Sequence, residues 1–190
     1  MNTVRPILFI DGENLVLRYQ ALLAAGRRPN EFVVHKQDVY IWHPAMASYF
    51  NNGFRRVNYY TSVVGDDTLV AETRAEIAAM RYIFTPGPGG SVMAQLVPFV
   101  YKKEARRDRA RNVDIQIVID VMRASSSSAY DLVFLASGDG DYLPLIAEAM
   151  HAGKQVFVTA FSSGLNQAIP STADKFIDLD EMFFVRENAA

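Results

Sequence analysis

Two short apolar runs, each ending in carboxylates, set the strongest limit on how this chain folds. The first, Ile7-Leu8-Phe9-Ile10, leads straight into Asp11-Gly12-Glu13-Asn14. The second, Leu132-Val133-Phe134-Leu135-Ala136, follows Asp131 and runs into Ser137-Gly138-Asp139-Gly140-Asp141-Tyr142. Such runs have the length of buried strands, and the acidic, glycine-punctuated segment after each reads as a turn into a helix. Strand, turn and helix therefore occur twice, with acids at the strand ends. In an open α/β sheet, ligands sit in the crevice beyond the carboxyl ends of the strands, so the acids stand where chemistry is usually done.

The rest of the chain arranges itself around these units. Residues 15–25 carry leucines and alanines at helical spacing and stop at Gly26. Asp38 is placed to cap a helix running through Trp42 and Tyr49 to Gly53, with Pro44 near its first turn. Residues 56–64 are β-branched and aromatic between two glycines, the mark of a strand. Asp66 and Asp67 then open a helix whose inner face is Leu69, Val70, Thr73, Ile77 and Met80. Residues 81–84 form a further strand, and 85–90, rich in Pro and Gly, an exposed loop. Residues 93–101 return to strand character, with Pro98 assigning it to a sheet edge. After the basic run 102–111 come a helix over 113–124, the second apolar strand, and a helix over 142–150. A strand over 155–160, a short helix over 165–171 and a last strand over 176–179 complete the chain. Helices alternating with strands predict an α/β fold, a three-layer sandwich whose mostly parallel central sheet is covered on both faces.

Size and charge narrow the classes further. With 190 residues and 50% hydrophobic content, the expectation is one domain over 1–190. A net charge of −2 excludes a surface that is basic throughout, so nucleic-acid contact has to come from a local patch. The absence of cysteine excludes disulfides, thiolate metal sites and cysteine nucleophiles. No run approaches the roughly 20 apolar residues of a membrane helix, and Met1–Pro6 is too short for a signal-peptide core. A cytoplasmic protein with no membrane partner is expected. The apolar segment 182–185 closes either the core or a contact with a partner, which leaves a homodimer open.

Asp11 and Asn14 are three residues apart at a helix start, so both can face the strand-end crevice; Asp11 also suits a helix cap. Asp114 shares its helical face with Ile117, Val118 and Val121, and a carboxylate on an apolar face needs a partner. Asp120 lies off that face. Asp139 and Asp141 add two more acids at a neighbouring strand end. Two like charges 4 Å apart repel by about 4 kcal/mol at an effective dielectric of 20, so several together favour protonation or a bound cation. Oxygen-only ligation suits Mg²⁺ or Mn²⁺, which would activate a water and neutralise charge at a phosphodiester.

Phe9-Ile10-Asp11-Gly12-Glu13-Asn14-Leu15, Arg111-Asn112-Val113-Asp114 and Ser137-Gly138-Asp139-Gly140-Asp141-Tyr142 resemble the three signature blocks of NYN domains, PIN-like nucleases of the LabA group. The resemblance spans roughly residues 5 to 180, and its third block is the most specific. It implies a Rossmann-like, PIN-like fold and a metal-dependent ribonuclease site. By position it places Asp11, Asp114, Asp139 and Asp141 around Mg²⁺ or Mn²⁺, Asn14 on water or substrate, and Ser137 on the turn or a phosphate. Arg111 and Asn112 stand where the family pattern has Lys and Gly, which keeps the basic charge.

Lys102, Lys103, Arg106, Arg107 and Arg111 lie just upstream of Asp114 and are candidates for RNA backbone contact; the alternative is a solvated helix face. Tyr59, Tyr60, Tyr142 and Trp42 are expected in core or rim packing rather than on bases, and His35, His43 and His151 have no ligand-like spacing. Two other functions compete with a ribonuclease. One is a non-catalytic RNA-binding module on the same fold. The other is a haloacid-dehalogenase-type phosphatase, which needs Asp two residues after Asp11, where this chain has Glu13.

Overall fold

The apolar run that starts the chain becomes β1 (Pro6–Asp11), and it lies at the centre of the molecule because both of its faces are buried. The computed structural model describes residues 4–50, 52–87, 89–103 and 111–186, with the side chain of residue 111 not described. β1 passes into α1 (Gly12–Ala24), followed by a hairpin of β2 (Val34–Lys36) and β3 (Tyr40–Trp42). Next come β4 (Arg56–Val63), α2 (Asp67–Ala79), a second hairpin of β5 (Arg81–Phe84) and β6 (Val92–Gln95), and β7 (Val97–Lys102). The second half runs α3 (Arg111–Ser125), β8 (Leu132–Ala136), α4 (Leu143–His151), β9 (Gln155–Ala160), α5 (Ile169–Thr172), β10 (Lys175–Asp178) and α6 (Asp180–Phe183).

Among the described residues, six strands form one sheet in the order β10-β9-β8-β1-β4-β7, and every pairing in it is parallel. Alternation along β1 explains the two covering layers. Leu8 and Ile10 point to one face, where they meet Leu15, Val16 and Tyr19 of α1, Ile77 of α2 and the β3 residues Tyr40, Ile41 and Trp42. Ile7 and Phe9 point to the other, against Val113, Ile117 and Val121 of α3 and Leu145, Ile146 and Ala149 of α4. Each large side chain so buried is worth about 1.5–3 kcal/mol. Phe183 and Phe184 belong to the first of these cores, so this end of the chain closes the fold. Among the described residues no helix is long and apolar enough to cross a membrane.

Three local expectations are corrected. Residues 38–49 do not form a helix. Asp38 sits in the turn of the β2–β3 hairpin at φ 58°, a left-handed conformation that an N-cap does not take. Gln20 on α1 holds it there, donating from Nε2 to Asp38 Oδ1 and accepting from Asp38 N at Oε1, both at 2.8 Å. The aromatic and β-branched content of 40–42 is met by full burial in a strand, whose backbone Ile41 N–H and C=O both bond the Tyr59 hydroxyl at 2.9 Å. Pro44 opens only a 3₁₀ turn, Pro44–Ser48. The strand expected over 93–101 is two strands split at Leu96, which is fully buried and donates its N–H to Met80 O. β7, with Pro98, takes the sheet edge as expected. The helix expected over 165–171 is confined to α5, because Asn166 closes a turn before it: its Oδ1 accepts from Ala168 N–H and its C=O from Ile169 N–H.

Arg5 and Asp131 tie the amino ends of β1 and β8 together. Arg5 donates from Nε to Oδ2 at 2.8 Å and from Nη2 to Oδ1 at 2.6 Å. These bonds hold the Asp131 carboxyl down at about 2. A depressed carboxyl pKa adds stability that is present above the unfolded value near 3.9 and is lost as pH falls through the folded value. The Asp131 carboxyl resonance is therefore expected to titrate with a midpoint about 2, and Asp131→Asn to flatten the loss of wild-type stability between about pH 4 and 2. An ordinary midpoint near 3.9 contradicts the pairing.

Candidate active site

Because β1 and β8 are neighbours in register, with Ile10 opposite Ala136, the residues that follow them emerge side by side. Asp11 is 2% exposed and serves as the N-cap of α1, accepting from Asn14 N–H at 3.0 Å on Oδ1. Its other oxygen accepts from Ser137 Oγ at 2.9 Å. That same hydroxyl accepts from Asp139 N–H at 3.2 Å, and Asp139 Oδ1 accepts from Asp141 N–H at 3.1 Å. Asn14 Oδ1 accepts from Gly138 N–H at 3.1 Å. A continuous hydrogen-bonded path thus joins the two strand ends. Gly12 is required here, since a Cβ would come within 2.6 Å of Tyr60 O and 2.5 Å of the Tyr59 ring.

Asp114 reaches the group from the other side of the sheet. Tyr142, 3% exposed, donates its hydroxyl to Asp114 Oδ1 at 3.1 Å. Burial raises the Tyr142 pKa most, followed by the charges of Asp11, Asp114 and Asp139, so the phenol stays protonated and remains a donor. One buried hydroxyl therefore feels three carboxylates drawn from β1, α3 and the turn after β8. A cavity of about 260 Å³ opens beside it, lined by Asp114, Asp139, Asp141 and Tyr142 together with Ile115, Val118 and Ile119. Asp141 is exposed at its rim.

The ligand chemistry in this neighbourhood fits a hard divalent cation, since the side chains that line it offer carboxylate oxygens and neither thiolate nor imidazole. Among the described residues no three acidic or histidine side chains stand close enough to chelate an ion as they are. The fit is one of ligand type and shared cavity, without a preformed cage.

The basic candidates divide. Lys103, 18% exposed, lies 3.7 Å from Glu13 Oε1, which also accepts from Ser62 Oγ and is 8% exposed. Lys102 faces Asp67 at 3.8 Å, and both are open to solvent. Arg106 and Arg107 lie outside the described residues, as does the Arg111 side chain. Tyr59, Tyr60, Tyr142 and Trp42 are all core residues. His151 is exposed and His43 accepts from Ala45 N–H at 3.1 Å. Asp120 is not at the strand ends. It accepts from Tyr60 Oη at 3.0 Å and Gln116 Nε2 at 2.9 Å, beside a cavity that Ile7 and Arg56 also line near the amino ends of β1 and β4.

Sequence reasoning did not find the roles of Tyr142 and Glu13. Tyr142 closes the third signature block and is read there as core or rim packing rather than base stacking; Glu13 lies in the first block and is read only against a phosphatase pattern. Their polar partners lie 28 and 49 residues away, too far for any local pattern to join them.

A family model described as NYN domain matches residues 5–180. An uncharacterized protein of Methanocaldococcus jannaschii is 30% identical over 74 residues, 39% of this chain, and the match spans only 31% of that relative's length. Among solved structures, a Vibrio parahaemolyticus protein of unknown function shares the fold with a TM-score of 0.62 at 17% identity, covering 97% of this chain and 100% of that one.

Ser137→Ala removes the hydroxyl that serves both Asp11 and Asp139 N–H. Losing both bonds is expected to cost about 1–3 kcal/mol, read as a lower urea midpoint with an unchanged slope. Unchanged stability contradicts the shared role of Ser137.

Proposed function

The chain belongs to the NYN domain family, and from that premise we propose that it is a ribonuclease that hydrolyses RNA phosphodiester bonds with Mg²⁺ or Mn²⁺ as cofactor. The family carries a nuclease-like, RNA-directed function. What supports the finer reading is that Asp114, Asp139 and Asp141 line one cavity with Tyr142, whose hydroxyl bonds Asp114 and feels the charges of Asp11 and Asp139. A hard cation held by Asp11, Asp114, Asp139 and Asp141 would lower the pKa of a water and neutralise charge on the phosphate.

The chain's own residues supply the rest. Ser137 and the Asn14 N–H fix the two oxygens of Asp11, and Tyr142 fixes one oxygen of Asp114, so the acids are oriented before substrate arrives. Asn14 holds its carbonyl against Gly138 N–H, which leaves its amide nitrogen to orient water or substrate. The basic segment 102–111 draws the RNA backbone toward the acids. In this reading residues 1–190 act as one NYN unit in the cytoplasm.

A second reading, a non-catalytic RNA-binding module, has one observation on its side: among the described residues the acids are not at chelating distance as they stand. A labelled RNA incubated with Mn²⁺ or Mg²⁺ separates the two. Cleavage by the wild-type protein is expected to stop on addition of EDTA, and to fall by at least about 100-fold in Asp139→Asn or Asp11→Asn. Cleavage indifferent to chelator and to both substitutions overturns the ribonuclease mechanism, and RNA binding without cleavage under either ion favours the second reading.

A further inference from the structure

One helical turn beyond Asn14, α1 carries Arg18. Positions 14 and 18 share a helix face, and helix side chains lean toward the N-terminus, here toward the strand ends. Two donors on this face lack acceptors. Asn14 Nδ2 and Arg18 Nε are both buried with no hydrogen-bond partner. Asn14 itself is 1% exposed, and its amide orientation is fixed by Gly138 N–H. Leaving two such donors unmatched one turn apart is costly, and a single oxygen-rich ligand would satisfy both.

The surroundings say where that ligand sits. The Arg18 guanidinium lies against Gly164, at φ 64°, where an added Cβ would collide with it. The same loop packs on the turn after β8: Asn166 N–H donates to Gly138 O at 3.0 Å, and the Asn166 side chain occupies the space a Cβ on Gly140 would need. The seat for the guanidinium is therefore bolted to the turn that carries Asp139. Both nitrogens are enclosed as they stand, while Arg18 as a residue is only half-buried. For an acceptor to reach them the loop would have to shift at Gly164, where no side chain stands between it and the guanidinium.

We propose that Arg18 and Asn14, seated against Gly164, form a phosphate subsite next to the acidic cluster that grips a backbone or terminal phosphate of the RNA. The inference rests on the RNA-directed reading above. A guanidinium suits the task because its planar fork matches phosphate oxygens, and a site on α1 lies across the sheet from Asp114 on α3. The strand would then cross the carboxyl edge from one covering layer to the other.

Binding of a labelled single-stranded RNA, followed by fluorescence anisotropy in EDTA so that cleavage does not intervene, tests it. Arg18→Gln is expected to bind about tenfold more weakly. Its log–log salt dependence should be shallower by about 0.7, the share of one phosphate contact on a single strand. Arg18→Lys should restore the slope, and Gly164→Ala, which displaces the guanidinium, should repeat the loss and serves in place of Arg18→Gln if that variant does not fold. RNAs bearing a 5′-phosphate or a 5′-hydroxyl separate the sources: a loss confined to the former marks a terminal phosphate, an equal loss on both marks an internal phosphodiester. Unchanged affinity and slope in Arg18→Gln and Gly164→Ala, with wild-type binding intact, overturns the subsite and leaves the nuclease reading standing. Wild-type protein that binds no RNA overturns both.

Discussion

The hydrogen bond from Ser137 to Asp11 is the joint on which the candidate site turns. It exists because β1 and β8 are adjacent and parallel, so that two segments 126 residues apart end at the same level of the sheet. Once that hydroxyl is committed to both Asp11 and Asp139 N–H, the turn after β8 has little freedom, and Asn14 removes more by taking Gly138 N–H. The sheet order therefore acts as the positioning device, and the polar contacts record its register.

Concentrating acids at one edge opposes their mutual repulsion, and the fold manages this with several distinct partners. Asp11 is neutralised in part by a helix N-terminus, where the backbone dipole favours negative charge. Asp114 leans on a phenol that burial and the surrounding charges keep protonated. Glu13 has a half-buried lysine within reach. Each acid thus has a different local reason to stay where it is, and the arrangement survives without drawing them into one tight knot.

Much of the scaffold was legible in the residues because its cores are built from simple periodicities. The unbroken apolar runs Ile7–Ile10 and Leu132–Ala136 have the length of strands buried on both faces, and the acids that follow them were placed at the strand ends on that basis. Pro98 marked the sheet edge because proline withholds an N–H from a ladder. What escaped was decided by distant partners. Asp38 reads locally as a cap, yet Gln20 on another element holds it in a left-handed turn. Leu96 lies within a run that reads as one strand, yet its burial and its bond to Met80 O break it in two. Tyr142 closes a signature block without showing its role, and Arg18 belongs to none: an aromatic at a turn and a basic residue on a helix are ordinary until the third dimension supplies carboxylates around the one and a glycine beneath the other.

The placement of Pro98 has a bearing on how this molecule behaves in a crowd. A parallel sheet ends somewhere, and its last strand offers backbone groups to any passing chain. Here a proline in β7 interrupts its sequence of N–H groups. A stranger seeking to extend the sheet on this side would find a rung missing, so this flank is poorly suited to seeding fibres or clumps.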